Sequence, residues 1–306
     1  MAESIDIVLL DGGMGQELYH RSRNPASPLW SAQVLMDEPE LVETVHSEFI
    51  AAGAQIIILN AYSATPERLA DAGKAELFEP VQAQAISVAK AARDKSGKAV
   101  RIAGCLSPLV ASYRPDLVPD AETALGLYRR IVAAQQDAVD FFLCETLASI
   151  KEARVATQAA KESGKPVWTG LTVDDSDGTK LRSGEALADG IQAAVDAGAD
   201  AVLINCSIPE AVDQGVAVLA EAGVPFGAYA NGFTSILELQ PGKTVDVLKA
   251  RSDLGPDTYA DHALGWVKAG ARIVGGCCEV GPAHIAELAR RLKAEGYRPV
   301  SELQGH

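Results

Sequence analysis

A chain of 306 residues, 48% of them hydrophobic, can bury one large core or two ordinary ones. A net charge of -14 with no basic patch argues against a nucleic-acid role, and apolar runs of about six to eight residues are far too short to span a membrane. The N-terminus lacks a basic segment followed by a long apolar one, and five cysteines make no even disulfide framework, so a reducing cytoplasm is the expected compartment.

The chain opens on IDIVLLDGG, which reads as a strand near 5–10. After it, one pattern recurs: an alanine-rich helical stretch ends near a glycine, and a short apolar run follows. Gly53 leads into QIIILN, Gly97 into AVRIAGC, Gly164 into PVWTGLTV, Gly198 into DAVLINC, Gly223 into PFGAYAN and Gly270 into RIVGGCC. A glycine just past a helix supplies the left-handed cap that lets the chain reverse into a strand. AVDFFLCET adds one more strand after the helical stretch 121–137.

The predicted strands lie near 5–10, 55–60, 100–105, 139–145, 166–172, 200–205, 225–230 and 271–276. They are almost continuously apolar, as strands covered on both faces should be. Apolar residues at helical spacing separate them, for example Val81, Ala85 and Val88, then Ile285, Leu288 and Leu292. Strand–helix units in unbroken alternation predict a single (β/α)8 TIM barrel over 1–306, with a doubly wound open sheet as the alternative. Long loops at 11–39, 106–120, 172–184 and 231–257 follow strands, so they fall on the face of a barrel where active sites lie.

Chemistry-bearing residues collect at the strand ends. These are Asp11-Gly12-Gly13, Asn60, Glu145, Asn205-Cys206, Asn231 and Cys277-Cys278. A closed barrel would bring Cys206 to Cys277 and Cys278, giving three thiolates and one open position, the pattern of a catalytic metal site. Neighbouring residues of a strand face opposite ways, so the adjacent pair can share an ion only if the strand has ended; Gly275 and Gly276 would allow that. The alternatives are two buried small side chains or a strained vicinal disulfide.

Cys105 and Cys144 lie inside strands and read as packed core residues. No histidine falls at a predicted strand end and no HExxH occurs: His46, His262 and His284 lie in helical stretches, His20 in a loop, and His306 is the last residue. DGGMG lacks the spacing of a phosphate loop. Asp11 and Glu145 could hold a substrate ammonium, or serve as a helix cap and a loop charge. Asn60, Asn205 and Asn231 read as caps or orienting groups.

LLDGGMGQEL, LNAYSATPERL, FLCETLASIKEA, LINCS and WVKAGARIVGGCCEVGPAHIAEL, in that order, resemble the homocysteine S-methyltransferase family across essentially the whole chain. The pairing of NCS with a distant GGCC carries the most weight. The resemblance implies a (β/α)8 barrel with Zn2+ on Cys206, Cys277 and Cys278. It implies that Asp11 with the Gly12 backbone, Glu145 and Asn205 serve homocysteine, whose thiol takes a methyl group to give methionine. With no appended folate or cobalamin module, the expected donor is a small sulfonium, S-methylmethionine or S-adenosylmethionine. Trp30, Tyr62 and Tyr113 could face such a cation. The same fold with a betaine-like donor, with another thiol or selenol acceptor, or as a non-catalytic zinc- or thiol-binding barrel are the alternatives. The chain departs from the family pattern at Ala61, Ser107 and Ala230.

Overall fold

The computed structural model describes residues 5–241 and 243–303, so His306 lies outside the described residues. Nine strands form one all-parallel sheet. They are β1 (Asp6–Leu9), β2 (Ile56–Ile58), β3 (Arg101–Leu106), β4 (Phe141–Leu147), β5 (Val167–Leu171), β6 (Ala201–Asn205), β7 (Phe226–Tyr229), β8 (Ile273–Val274) and β9 (Arg298–Val300). Their order is β2-β3-β4-β5-β6-β7-β8-β1-β9. The first eight are the strands anticipated from the sequence, joined by helices that pack on the outside.

The apolar runs work because alternate residues serve two cores. Val8, Leu10, Phe141, Leu143, Leu203 and Ile273 fill the barrel interior. Ile7, Leu9, Ile57, Phe142, Val202 and Ile204 face the surrounding helices. The six glycines read as helix caps all adopt positive φ, from 63° at Gly97 to 119° at Gly53. That region is open to glycine at no steric cost, so each cap turns the chain back into the sheet.

β9 was not anticipated. It follows the helix Pro282–Ala294, contains Pro299, and is only partly buried, so it carries none of the signals of a central strand. It pairs with the start of β1, from Asp6↔Arg298 to Val8↔Val300. Val300 and Leu303 then cover the interior core at the end of the barrel away from the strand C-termini. β2 therefore has no ladder with β1. The two meet further along, where Gln55 N–H donates to Leu9 O at 2.8 Å and Ile58 N–H donates to the Asp11 carboxylate at 2.9 Å.

The long loop 11–39 is less irregular than its composition implied. It holds the helices Met14–Arg21, which includes His20, and Trp30–Asp37. With the loops after β2, β3 and β7 it walls a cavity of about 620 Å3 over the strand C-termini. Among the described residues no helix is long and apolar enough to cross a membrane.

Candidate active site

Three thiols meet at the mouth of the barrel. β6 ends at Asn205, and Cys206 turns into the left-handed region at φ 53°, an uncommon conformation for a non-glycine residue. β8 stops at Val274, so Cys277 and Cys278 lie beyond the strand and escape its alternation. Backbone bonds hold the pair: Gly276 N–H to Asp11 O at 2.9 Å, Cys277 N–H to Ala230 O at 2.9 Å, and Gly232 N–H to Cys278 O at 2.8 Å. Gly13 passes so close that a Cβ there would stand 2.5 Å from Cys277 O.

All five cysteines are free, so the adjacent pair forms no disulfide. The Sγ atoms of Cys206, Cys277 and Cys278 lie within 4.8 Å of one another, and Cys206 and Cys278 are 3.9 Å apart. A tetrahedral ion with metal–sulfur bonds of about 2.3 Å needs sulfurs roughly 3.8 Å apart. The spacing, the soft donors and the burial fit such an ion with one position left over. Hydrogen bonds from the Cys277 and Cys278 thiols and from the Tyr113 hydroxyl, 3.0 Å away, hold Cys206 well below the usual thiol range. Bonding to Cys206 pushes Cys277 and Cys278 the other way.

The cavity also contains two carboxylates. Residues 141, 143 and 145 of β4 point inward, and this alternation carries Glu145 to the mouth. Its oxygens accept from the Cys105 thiol at 3.1 Å and the Tyr229 hydroxyl at 3.4 Å. Burial raises its carboxyl to about 7. Asp11 gives one oxygen to Ile58 N–H; the other is buried with no partner, and burial raises this carboxyl well above its usual range. Two such buried acids lining one cavity, with no cation paired to either among the described residues, suit an incoming ammonium.

Gly12 lines the same cavity, whereas Asn205 does not. Its amide instead exchanges hydrogen bonds of 2.8 Å each way with Thr146, which sits at φ 63° directly after Glu145. Asn205 thereby fixes the turn that presents Glu145. Asn231 reaches toward Cys206 Sγ, at 4.0 Å, and accepts from Phe233 N–H. Asn60 donates to Ser31 O at 3.1 Å and anchors the loop that carries Trp30.

Sequence reasoning missed the roles of Cys105 and Tyr229, which hold Glu145. The alternation of β3 could have signalled Cys105, since Ala103 faces inward and Cys105 is two residues on. The departures from the family pattern are accommodated. Ala230 N–H donates to Tyr259 Oη at 3.1 Å, and that hydroxyl donates to Gly275 O at 2.6 Å. Ser107 donates to Tyr62 O at 2.5 Å. Ala61 is buried.

The homocysteine S-methyltransferase family model matches residues 8–292. A homocysteine S-methyltransferase of Escherichia coli K12 is 33% identical, with 94% of this chain and 95% of that protein covered. Homocysteine S-methyltransferase YbgG of Bacillus subtilis is 27% identical over 94% of this chain and 95% of its own. The crystal structure of the E. coli homocysteine methyltransferase MmuM in its metallated form superimposes with a TM-score of 0.78 at 30% identity, over 94% of this chain and 96% of that one. The chain belongs to the homocysteine S-methyltransferase family.

Proposed function

We propose that this protein transfers a methyl group from a small sulfonium, S-methylmethionine or S-adenosylmethionine, to the thiol of homocysteine, forming methionine. Zn2+ is the metal proposed for Cys206, Cys277 and Cys278. The observation that carries the reading is the meeting of three thiols, two buried and one partly buried, with two buried carboxylates in one cavity. The free state of all five cysteines supports a reducing compartment, the cytoplasm.

Bound there, the ion would supply the positive charge that makes an incoming thiol a thiolate at neutral pH. The chain's own groups do the positioning. Asp11 and Glu145 receive the homocysteine ammonium, which offsets the burial that raises both carboxyls. Gly12 lets the backbone approach the amino-acid end. Cys105 and Tyr229 keep Glu145 aimed at the cavity, and Asn205 braces it through Thr146. The homocysteine sulfur then forms the new S–CH3 bond as the donor's C–S bond breaks. The electron pair returns to the donor sulfur, leaving a neutral thioether, and the thiol proton leaves to solvent. No side-chain base is needed, in keeping with the absence of a histidine among the residues that line the cavity.

The test is a metal assay combined with a donor panel. About one zinc per chain is expected, with methionine formed from homocysteine and a methyl sulfonium. Cys206→Ala should lose both metal and turnover. Undiminished turnover by a metal-free preparation would refute the zinc assignment, and absence of methyl transfer from every donor would refute the reaction.

A further inference from the structure

Cys206 is the strained member of the thiol cluster. At φ 53° it occupies the left-handed region, where a Cβ crowds the backbone and a non-glycine residue persists only if its surroundings hold it. A return to the ordinary region would swing its Sγ away from Cys277 and Cys278. One grip on the turn comes from β7, where Tyr229 O accepts Cys206 N–H at 3.1 Å. Further grips come from the loop after β5. Cys206 O accepts from Thr172 Oγ1 at 3.3 Å and from Arg182 Nη2 at 3.4 Å. Ser207 Oγ accepts Val173 N–H at 2.9 Å, and Ile208 N–H donates to the Asp175 carboxylate at 3.1 Å.

Arg182 ties these grips together. Its side chain is 8% exposed, and an antiparallel bridge between Val173 and Leu181 fixes the backbone beside it. Its Nε donates to Thr172 Oγ1 at 2.9 Å, so the Thr172 hydroxyl gives its own hydrogen onward, to Cys206 O or to Ser207 Oγ at 3.2 Å. Nη1 and Nη2 hold the two oxygens of Asp175 at 3.2 and 2.9 Å, and the same carboxylate takes Ile208 N–H. The guanidinium lies over the Tyr113 ring, 5.0 Å from its centroid, and the Tyr113 hydroxyl stands 3.0 Å from Cys206 Sγ. One side chain thus reaches Cys206 at its carbonyl and, through an aromatic ring, at its sulfur. Arg182 is not among the residues that line the cavity, so it acts through Cys206 rather than on a substrate.

We propose that Arg182 is a positioning residue for the metal site: it holds the left-handed turn that points the Cys206 thiol at Cys277 and Cys278, and so sets how tightly the three thiols retain their ion. This rests on the metal site proposed above and adds the residue outside the cavity that organises it. The role requires the planar fork. A lysine would keep the charge but could not bond Thr172 and both Asp175 oxygens while stacking on Tyr113.

The experiment measures zinc retention by the full chain, kept reduced, against a chelator of graded concentration, in wild type, Arg182→Met and Arg182→Lys. Circular dichroism and the urea midpoint of the metal-free proteins report folding separately. Zinc affinity should fall about 10- to 100-fold in Arg182→Met, the range typical when a partner just outside the ligands is lost. Arg182→Lys, which keeps the stem and the charge, should fall by nearly as much. With cobalt in place of zinc, the sulfur-to-cobalt absorption of both variants should weaken or shift as the Cys206 bond loosens. A loop anchor unrelated to the thiol would not produce that change. Wild-type zinc affinity in a folded Arg182→Lys overturns the proposal, as does a lowered urea midpoint in either variant with zinc affinity and cobalt spectrum unchanged. A wild type that retains no zinc and takes up no cobalt overturns the metal site, and this inference with it, a result distinct from an unchanged variant.

Discussion

Glu145→Gln separates what the carboxylate does for folding from what it does for the substrate. Burial raises this carboxyl from an ordinary 4.5 to about 7, against partial relief from the Cys105 and Tyr229 hydrogen bonds. A raised carboxyl binds its proton more tightly in the folded chain. The stabilisation is thus fully present below about 4.5 and is lost as pH rises through about 7. The difference is worth about 3 kcal/mol at pH 8 at most, so the neutral isostere should raise the urea midpoint there and leave it nearly unchanged at pH 4.5. Function should move the other way. Removing one member of a buried charge pair costs about 3–5 kcal/mol, reduced here to about 2–3 because Asp11 shares the ammonium. The expected loss in kcat/KM for homocysteine is about 30- to 150-fold. In the free enzyme the ionised form is the one that binds an ammonium. Wild-type kcat/KM should therefore fall tenfold per pH unit below about 7, and that limb should flatten in the variant. Homocysteine saturation curves from pH 5.5 to 8.5 for both proteins test this. A variant with the wild-type homocysteine KM and an unaltered acid limb would refute the role given to Glu145.

Two further outcomes follow from the packing. His46 is fully buried, neither ring nitrogen has a partner, and burial lowers it from 6.5 to about 3. Below about 6.5 the unfolded chain takes up a proton that the folded chain refuses, so stability falls by about 2 kcal/mol between pH 6.5 and 5. His46→Leu should remove that part of the acid sensitivity in urea titrations at pH 7 and pH 5; an identical drop in both proteins would refute it. Gly13→Ala would place a Cβ 2.5 Å from Cys277 O, a backbone atom with little freedom to yield. It should shift the cysteine pair, weaken metal retention against a chelator at least about tenfold, and leave the secondary structure intact by circular dichroism. Full metal retention would show that the loop absorbs the clash.

The sequence disclosed the barrel because its signals are local and repeated. Each cap glycine precedes an apolar run, and each run is long enough to be seen on its own. It disclosed Cys206, Cys277, Cys278, Asp11 and Glu145 because they sit directly at strand ends, where topology alone determines that they converge. Other features depend on contacts between segments far apart in the chain. β9 is three residues long, carries Pro299, and is recruited only because β1 has a free edge at its start. Arg68 lies on the helix Pro66–Asp71, where a cation reads as solvated surface until the loop containing Pro108 and Ser112 folds over it. Cys105 reads as an ordinary core thiol, and only the neighbouring strand brings the Glu145 carboxylate to it. Asn205 shows the converse. Its place at a strand end is plain from the sequence, but Thr146 occupies its amide.

Asp11 shows why fold and site cannot be treated separately in this chain. β1 and β2 share no ladder, and the seam between them is joined by one backbone bond and by the Asp11 carboxylate accepting Ile58 N–H. That bond uses one oxygen and leaves the other buried and unpartnered at the cavity wall. An asparagine at the position could still close the seam through its carbonyl oxygen but would bring no charge to an ammonium. The seam also sets the loops beyond it. Asn60, just past β2, donates to Ser31 O, and Ser63 donates to Leu29 O at 2.6 Å, so both neighbours of Trp30 are gripped from the β2 side. The carboxylate proposed to receive the acceptor's ammonium therefore also holds the frame on which the loop carrying Trp30 is mounted. The closure depends on a side chain rather than a strand ladder, and that same side chain carries the charge the proposed reaction would need.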